Sequence, residues 1–363
     1  MTTDSISVST STATSVPTLK KSRVGLKLSR ILGKTLAVLL LTAGSVLIML
    51  PLIWMISTSL KARENATEFP PTWIPQESIK VSYNGRNYFM YDIVVNGESV
   101  RWGMLKKQPG GMAIFFNPAN PEEQVTQKLE DAEKAMQTVI HWENYKIGLT
   151  MVPFAQYIWN TLIIVVTTTI GVIISCTLVA YGFSRFRAKG LNVLFIILLS
   201  TIMLPAQVTL IPTFVFFQKI GWYDTFLPLI VPAFFANAWD VFLLRQFFMT
   251  VPLEMDEAAR IDGANPLQVL LYILVPQSWP AIATVSIFHF LWAWNDFFGP
   301  LIYIQSKEKW TVALGLQSFN GLYSQQITYL MAASTVTMLP CLILFFIAQK
   351  LFIQGVVISG VKG

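Results

Sequence analysis

The chain has 363 residues, of which 53% are hydrophobic and only 13% are charged, and its mean hydropathy is +0.54. Soluble domains usually carry about a quarter charged residues, so the composition excludes an ordinary soluble protein and indicates that much of the surface faces lipid. The net charge of +6 comes from Lys and Arg beside apolar segments, which is the pattern that orients membrane proteins, and we expect no nucleic-acid partner.

Six apolar segments are long enough to cross a hydrocarbon core about 30 Å thick, which needs about 20 residues of helix. The predicted spans are residues 35–56, 157–183, 191–214, 226–248, 270–297 and 327–351. Lys and Arg cluster before the first span and between the second and third, and such flanks mark the cytoplasmic side. Both termini are therefore expected in the cytoplasm, as a largely disordered tail over 1–34 and a short tail over 352–363.

Residues 57–156, between the first two spans, are too polar for lipid and too long for a plain loop. Asn84-Gly85 and Asn96-Gly97 lie between alternating apolar runs and predict two β-hairpins. Asn120, Pro121 and an apolar period of three and four over 121–142 predict a helix. The sequence thus predicts a small extracytoplasmic α+β insert, which serves either as a stabilising cap or as a docking surface for a substrate-delivery protein.

The segment 250–268, between the fourth and fifth spans, predicts two short helices joined by a fixed bend. Pro252 suits a first helical turn, and Gly263 tolerates the left-handed conformation that closes a helix. Asn265 and Pro266 are suited to begin a second helix. Ala258 and Ala259 leave one side without bulk, so the residues alone are compatible with a docking surface or with a plain amphipathic connector.

This segment resembles the signature loop of bacterial binding-protein-dependent ABC permeases. The loop has the pattern Glu-Ala-Ala, three residues, then Gly, with a later Leu-Pro that is replaced here by Val275-Pro276. Other segments resemble the carbohydrate-uptake branch of that family: Ser59-Leu60-Lys61 with Pro70-Pro71, Trp142-Glu143-Asn144-Tyr145, Asn160, Trp294-Asn295-Asp296-Phe297, Pro300-Leu301-Ile302, and Gln354-Gly355 through Gly363. The similarity is greatest to the smaller permease of the maltose-transporter type, although typical members lack residues 78–140.

The resemblance implies an all-α polytopic protein of the bacterial inner membrane, with six transmembrane helices and the insert between helices one and two. It implies a homologous second permease, two ATPase subunits that bind ATP and Mg²⁺, and an extracytoplasmic substrate-binding protein as partners, besides membrane lipid. It also implies a sugar or oligosaccharide as substrate. The residues that it assigns to ATPase coupling are Glu257, Ala258, Ala259, Asp262 and Gly263.

No segment of the sequence predicts catalysis or a metal site. Gly33-Lys34-Thr35 is the one segment that resembles the end of a phosphate-binding P-loop, and Leu28 stands where the first glycine of that motif belongs. Cys176 and Cys341 lie in apolar runs without metal-ligand spacing. We therefore expect a non-catalytic subunit that holds no cofactor, with ATP and Mg²⁺ in the partner ATPase.

Polar residues within the spans are candidates for the substrate pathway, because burying them in hydrocarbon is costly. His289 with Trp292 either lines a sugar pathway or bonds a neighbouring helix, and Asn295 with Asp296 either forms an outer gate or caps a helix. Asn160 either bridges helices or contacts substrate.

Two further features of the spans are structural expectations. Asp240 and Arg245 are spaced to form an ion pair within the fourth span. Pro205, Pro212 and Pro232 are expected to kink the third and fourth spans, since each removes a helix hydrogen bond.

Three other interpretations of the function stay open. An ion-gradient-driven transporter would show internal repeats and broken midplane helices with acidic residues, and neither is clear in the sequence. The importer could also serve a polar solute other than a sugar, or the outer domain could be the working part of a sensory protein.

Overall fold

A computed structural model describes residues 23–67, 72–320 and 326–360. The stretch Thr2–Thr18 that we expect to be disordered, Pro70-Pro71 and the last three residues lie outside the described residues. The boundary between two compact units falls within the first helix, after Trp54.

Fourteen α-helices occur in the described part of the chain. They are α1 Arg23–Ser59, α2 Glu143–Thr150, α3 Phe154–Arg185, α4 Leu191–Ser200, α5 Ala206–Lys219, α6 Leu227–Ile230, α7 Ala238–Phe248, α8 Leu253–Ile261, α9 Pro266–Val269, α10 Val275–Gln277, α11 Trp279–Trp294, α12 Phe298–Tyr303, α13 Val312–Gly315 and α14 Ile327–Gly360. A π-helical segment, Leu270–Leu274, joins α9 to α10, and a 3₁₀ segment, Val231–Phe235, follows α6.

Four stretches of helix are long and apolar enough to cross a membrane: Ile31–Ser59, Phe154–Arg185, Leu227–Phe248 and Ile327–Gln349. Two further pairs pass the same test but are sharply bent, so the described residues hold up to six spans. The bend in the predicted third span lies at Pro205, which precedes α5, whereas Pro212 lies inside α5. The predicted fifth span is bent by 81° between Gln277 and Trp279.

The helices at the two ends of the chain extend into the predicted tails. α1 begins at Arg23, so residues 23–34 are helical and not part of a disordered tail, and α14 continues to Gly360. The physical reason is that each residue added to an existing helix gains a backbone hydrogen bond without a new nucleation cost. The sequence-based boundaries follow hydropathy alone, so they place the start of the first helix too late and the end of the last helix too early.

The core of the bundle lies where α3, α7 and α11 meet. Val172, Cys176 and Ala180 of α3 pack with Val241 and Leu244 of α7 and with residues of α11. A second cluster joins the start of α3 to α13 and α14. Small residues permit close helix contacts in a membrane, and a Cβ atom on Gly148 would approach the Tyr329 carbonyl to 3.0 Å.

The insert consists of β-strands and 3₁₀ turns, and it is followed by α2. The strands are β1 Gln76–Ser78, β2 Lys80–Tyr83, β3 Arg86–Val95, β4 Glu98–Lys107, β5 Met112–Phe116, β6 Gln124–Lys128, β7 Glu133–Lys134 and β8 Met136–Thr138. An antiparallel sheet runs in the order β2-β3-β4-β5-β6, with β7 paired to β3, and β1 pairs with β8. Its core contains Ile93, Trp102, Ala113 and Phe115.

Both predicted hairpins are confirmed. Asn84-Gly85 joins β2 to β3 and Asn96-Gly97 joins β3 to β4, and all four residues have positive φ, between 50° and 87°. A two-residue turn with positive φ at both positions matches the twist of the strands that it joins.

The predicted helix over 121–142 is wrong, and the insert is therefore not the α+β domain that we expected. β6, β7 and β8 occupy that range, and Asn120 lies in the turn between β5 and β6. Val125 and Leu129 do pack on the core, but they reach it from a strand and a 3₁₀ turn. A few apolar residues at mixed spacing fit either period, and the neighbouring strand β5 decides the outcome by pairing with β6.

The two chain segments that flank the insert are bonded to each other. The Asn144 side-chain amide donates to the carbonyls of Ser59 and Lys61, at 2.9 Å each, and the Tyr145 hydroxyl lies 2.8 Å from Ser59 Oγ. The chain thus enters and leaves the insert at adjacent points of its helical part. The strands of the insert can therefore form without displacing α2 and α3.

Candidate functional site

The helices α8 and α9 form a fixed elbow, which we define as residues 252–268. Gly263, with φ of 88°, ends α8, and the amides of Gly263 and Ala264 donate to the carbonyls of Arg260 and Ala259. This is the bonding of a Schellman motif, and it needs a residue that adopts the left-handed conformation without strain. Asn265 and Gln268 then form a capping box, with bonds of 2.9 and 2.8 Å, that begins α9. The two predicted helices, the bend at Gly263 and the cap at Asn265 are confirmed.

The side of the elbow that faces away from the helical bundle carries most of the residues assigned to coupling. Glu257, Ala258, Asp262 and Gly263 are exposed, whereas Ala259 is partly buried. Beyond these, Ile261 is 86% exposed at the end of α8, and Leu253 and Leu267 are also exposed. Exposed apolar side chains beside a helix with little bulk are typical of an interaction site.

The inward side of the elbow is tied to the end of α3 by a buried ion pair. Arg185 Nε lies 3.0 Å from Asp256 Oδ2, and the side chains are only 2% and 4% exposed. Arg185 Nη2 also donates to the Val251 carbonyl at 2.9 Å. Nothing in the spacing of Arg185 and Asp256 along the sequence reveals that they meet.

A cavity of roughly 620 Å³ lies among α3, α6, α7, α11 and α12. Its aromatic lining comes from Trp239, Phe288, Trp292 and Tyr303, and its polar lining from Thr168, Asn237, Asp240, His289 and Asp296. A concave, mainly apolar site with a few convergent polar groups is the usual form of a small-molecule site.

Three of the five predicted pathway residues line this cavity, namely His289, Trp292 and Asp296, and two do not. The Asn295 side chain donates to the Leu291 carbonyl, one turn back on α11. Asn160 is 6% exposed and donates to the carbonyls of Glu308 and Trp310 at 2.8 and 3.0 Å. Asn160 therefore bridges α3 to the segment before α13.

The sequence missed Asp240 as a lining residue, and the ion pair expected between Asp240 and Arg245 is not formed. Asp240 Oδ2 accepts from Asn237 Nδ2 at 2.6 Å, and the Asp240 amide donates to Asn237 Oδ1 at 2.9 Å. Arg245 donates to the Phe183 carbonyl, and its guanidinium lies 4.2 Å from the centre of the Phe195 ring. Asn237 caps α7, and this local bond turns Asp240 toward the cavity and away from Arg245.

The wall of the cavity includes a break in the fourth span. The 3₁₀ segment that contains Pro232 ends at Ala236, which has φ of 45°, and α7 starts two residues later. Ser175 Oγ accepts from the Ala236 amide and donates to the Ala233 carbonyl, at 3.1 Å each. These bonds satisfy backbone groups that the break would leave unpaired in the membrane.

The carboxylate of Asp296 serves two roles. It lines the cavity, and its Oδ1 accepts from the Gly299 amide at 3.1 Å at the start of α12. A Cβ atom on residue 299 would collide with the same carboxylate, so glycine is needed there. Asp296 therefore caps a helix, which is one of the two roles that the sequence offered, and it also lines the cavity.

Asp224, on the loop after α5, holds the segment that follows α12. It accepts from the amides of Gln305 and Ser306 at 3.0 and 2.9 Å, and from Lys309 Nζ at 3.1 Å. The Ser306 hydroxyl and backbone amide, followed by Lys309, keep the pKa of Asp224 well below its usual range. No sequence motif marks this residue.

Comparison with known proteins gives a family for this arrangement. The family described as "Binding-protein-dependent transport system inner membrane component" matches residues 167–358, which include the elbow and most of the cavity wall. The arabinooligosaccharides transport system permease protein AraQ of Halalkalibacterium halodurans is 32% identical over 216 residues, which are 60% of this chain and 76% of that protein. The sn-glycerol-3-phosphate transport system permease protein UgpE of Pectobacterium atrosepticum is 33% identical over 214 residues, 58% of this chain and 76% of that protein.

A solved structure has the same fold. A chain of a bacterial ABC transporter involved in the import of the acidic polysaccharide alginate superposes with a TM-score of 0.63 at 21% identity, over 92% of this chain and 99% of that chain. The family match covers more than half of the chain and contains the Glu-Ala-Ala segment in its helical elbow. The chain therefore belongs to the family of inner-membrane components of binding-protein-dependent transport systems, the permease subunits of ABC importers.

Proposed function

We propose that the chain crosses the bacterial inner membrane six times, with both termini in the cytoplasm, and forms one half of the pathway of an importer for a sugar or oligosaccharide. The relatives named for arabinooligosaccharides and for the alginate importer support a saccharide substrate. Positive flanks and the count of up to six spans support the orientation. In that orientation the elbow lies in the cytoplasm and the insert outside.

The elbow surface is the observation that carries this proposal. Its exposed residues present a carboxylate, small side chains and the apolar Ile261 to the cytoplasm. We assign this surface to docking of a separate ATPase subunit, which binds ATP and Mg²⁺, while the permease itself is non-catalytic. A homologous second permease, a second ATPase subunit and an extracytoplasmic binding protein complete the assembly.

The path from the elbow to the cavity has two branches. Arg185 and Asp256 link α8 to α3, and the π-helical segment with α10 continues α9 into α11. Both α3 and α11 contribute cavity-lining residues. A movement of the ATPase dimer therefore reaches the cavity wall through packed helices, and ATP shifts the populations of two conformations if it binds them with different affinity.

The insert is assigned here to the outer face, as a cap or as a docking surface for the binding protein. The bonds of Asn144 to Ser59 and Lys61 hold it at a fixed place on the bundle. Deletion of residues 78–140 separates the two roles, because loss of a cap lowers thermal stability, whereas loss of a docking surface lowers binding-protein affinity alone.

The break in the fourth span beside Asp240 resembles the broken helices of ion-gradient-driven transporters. The family match favours the ABC importer over that alternative. Uptake by reconstituted chain with an ion gradient and no ATPase would contradict the proposal.

The experiment that tests the proposal is co-purification with candidate ATPase and permease partners in detergent, together with substrate-stimulated ATP hydrolysis. Glu257→Lys reverses the charge of the docking surface, and Gly263→Pro destroys the bend. We expect each variant to reduce stimulated hydrolysis at least about tenfold. Removing one partner of an interfacial charge pair, here by Glu257→Lys, costs about 2–5 kcal/mol, and proline at position 263 cannot adopt the φ of 88° that ends α8.

The matched control is Glu98→Lys, the same charge change at an exposed position of the insert. We expect it to assemble and hydrolyse ATP like the unmodified chain. If both elbow variants bound the ATPase and coupled normally, the elbow would serve only as a connector between two spans.

A further inference from the structure

The walls of the cavity carry charge of predominantly one sign. Asp240 and Asp296 contribute two carboxyl groups. Among the described lining residues, His289 is the one side chain that can carry a positive charge, and none is Lys or Arg. Two carboxylates therefore face at most one imidazolium.

The carboxyl groups are held in place by bonds to neighbouring elements. Asp240 is 8% exposed and is fixed by the Asn237 amide, and Asp296 is fixed by the Gly299 amide. Neither partner carries a positive charge. Away from bulk water a charge acts over longer distances than it does in water, so two fixed carboxylates dominate the field within a cavity of this size.

The nearby arginines of the bundle have other partners. Arg185 is paired with Asp256, and Arg245 donates to the Phe183 carbonyl and lies against Phe195. Recognition of a carboxylate or phosphate typically relies on Arg or Lys. The described walls thus contain hydrogen-bonding groups and aromatic faces suited to hydroxyls and sugar rings, and neither the Lys nor the Arg that anion recognition typically uses.

We infer that the cavity admits uncharged saccharides and rejects acidic ones. The inference rests on the proposed function and narrows its substrate class. It separates this chain from the anionic substrates in the names of two similar proteins, sn-glycerol 3-phosphate and alginate. The field of Asp240 and Asp296 repels a uronate or a phosphate, while hydroxyl groups can donate to the same carboxylates.

The first test measures the field directly and does not depend on the binding protein. Ala233, a small lining residue that is partly buried, is changed by Ala233→Cys in the assembled transporter, with Cys341→Ala to remove the more accessible native thiol. The rates of labelling by trimethylammonium-ethyl and sulfonato-ethyl methanethiosulfonate are compared. The chain that carries Cys341→Ala without Ala233→Cys measures the background labelling of the remaining native thiol, the fully buried Cys176.

We expect the ratio of cationic to anionic labelling to exceed that of a free thiol by roughly tenfold. Asp240→Asn and Asp296→Asn should each lower the ratio severalfold, and the exposed control Glu98→Gln should leave it unchanged. Two separate carboxyl variants are used because Asp240 and Asp296 each also bond a group at the start of a helix. A ratio equal to that of the free thiol, or one that survives both substitutions together, would overturn the inference.

The second test compares uptake of a neutral oligosaccharide with that of its uronate counterpart, in proteoliposomes that contain the whole transporter. We expect uptake of the neutral form at least tenfold above the acidic form, and a smaller preference in the chain that carries Asp240→Asn with Asp296→Asn. Equal uptake of both forms would refute the charge selection and leave the proposed function standing. If neither form were taken up, although the ATPase was intact and the labelling ratio showed a negative field in the cavity, the saccharide assignment would be refuted instead.

Discussion

The elbow and the cavity are both assembled from broken helices, but their breaks are stabilised in different ways. At the elbow, Gly263 and the Asn265–Gln268 capping box satisfy the helix ends within a few residues of chain. At the cavity, the break after Pro232 depends on Ser175, about sixty residues away. The comparison teaches that the elbow is shaped by local chemistry and can act as a preformed part, whereas the cavity exists only when the bundle is packed.

The elbow nevertheless has one long-range contact, the ion pair of Arg185 with Asp256. Breaking this pair is expected to lower stability more than any of the variants that follow. Arg185→Ala leaves Asp256 buried without its partner, which costs about 3–5 kcal/mol. We expect a large fall in the thermal midpoint in detergent and loss of substrate-stimulated ATP hydrolysis, since α8 is no longer held to α3.

Two further variants sharpen this result. Arg187→Ala, an exposed neighbour, should leave both measurements unchanged. The exchange of charges, Arg185→Asp with Asp256→Arg, should recover part of the stability lost in the single variant. An unchanged midpoint in Arg185→Ala would show that the ion pair does not hold the elbow.

The break at the cavity is tested by Ser175→Ala. The Ala236 amide and the Ala233 carbonyl then lose their partner, and a buried polar group without a hydrogen bond costs about 1–3 kcal/mol. The control is Ser184→Ala, since the Ser184 hydroxyl bonds only to the Tyr181 carbonyl of its own helix among its described contacts. Equal midpoints for the two variants would contradict the idea that the break depends on α3.

The local construction of the elbow is tested by Gly263→Ala. A Cβ atom at this position meets nothing within 4 Å, so the cost comes from the left-handed conformation alone, about 1–2 kcal/mol. We expect weaker coupling with little loss of overall stability, measured as ATP hydrolysed per sugar transported.

Gly182→Ala is the matched control for this change. Gly182 lies within α3 and also has open space around its Cβ position, and alanine there should stabilise the helix by about 0.5–1 kcal/mol. If both glycine variants coupled normally, the left-handed turn would not set the geometry of the elbow.

The smallest effect is expected outside the bundle, at Asp224. Its pKa is lowered in the folded chain, so its contribution is present above the unfolded pKa of about 3.9 and is lost only as the pH falls through the lower folded value. Asp224→Asn should therefore lower the free energy of unfolding by about 1 kcal/mol. This loss should stay constant between about pH 5 and pH 8. A cost that changed within that window, followed by thermal unfolding, would mean that another group governs this loop.

The same distinction between local and long-range bonds explains what the sequence could predict. The hairpins at Asn84-Gly85 and Asn96-Gly97 and the bend at Gly263 follow from backbone preferences of single residues, and they were predicted correctly. The positions of the spans follow from hydropathy. The bend between Gln277 and Trp279 lies between Pro276 and Pro280, and each proline removes a helix hydrogen bond, so a break there follows from the same rule as the kink at Pro205.

Two of the failures concern contacts between distant residues, and the third concerns a local helix cap. The range 121–142 was predicted as a helix because its local period is ambiguous, and pairing with β5 makes it β. Asp240 was assigned to Arg245 by spacing, but the cap at Asn237 turns it to the cavity. Arg185 and Asp256 meet only through the packing of α8 against α3, which no local pattern reveals.

Docking of an ATPase subunit on the elbow is tested most directly by photo-crosslinking in the assembled transporter. Ala258→Cys is labelled with benzophenone maleimide, and Glu98→Cys on the insert is the control. We expect a crosslink to the ATPase subunit from position 258, changed by ATP, and none from position 98. A crosslink to the ATPase from position 98, or none from position 258 in an active complex, would contradict it.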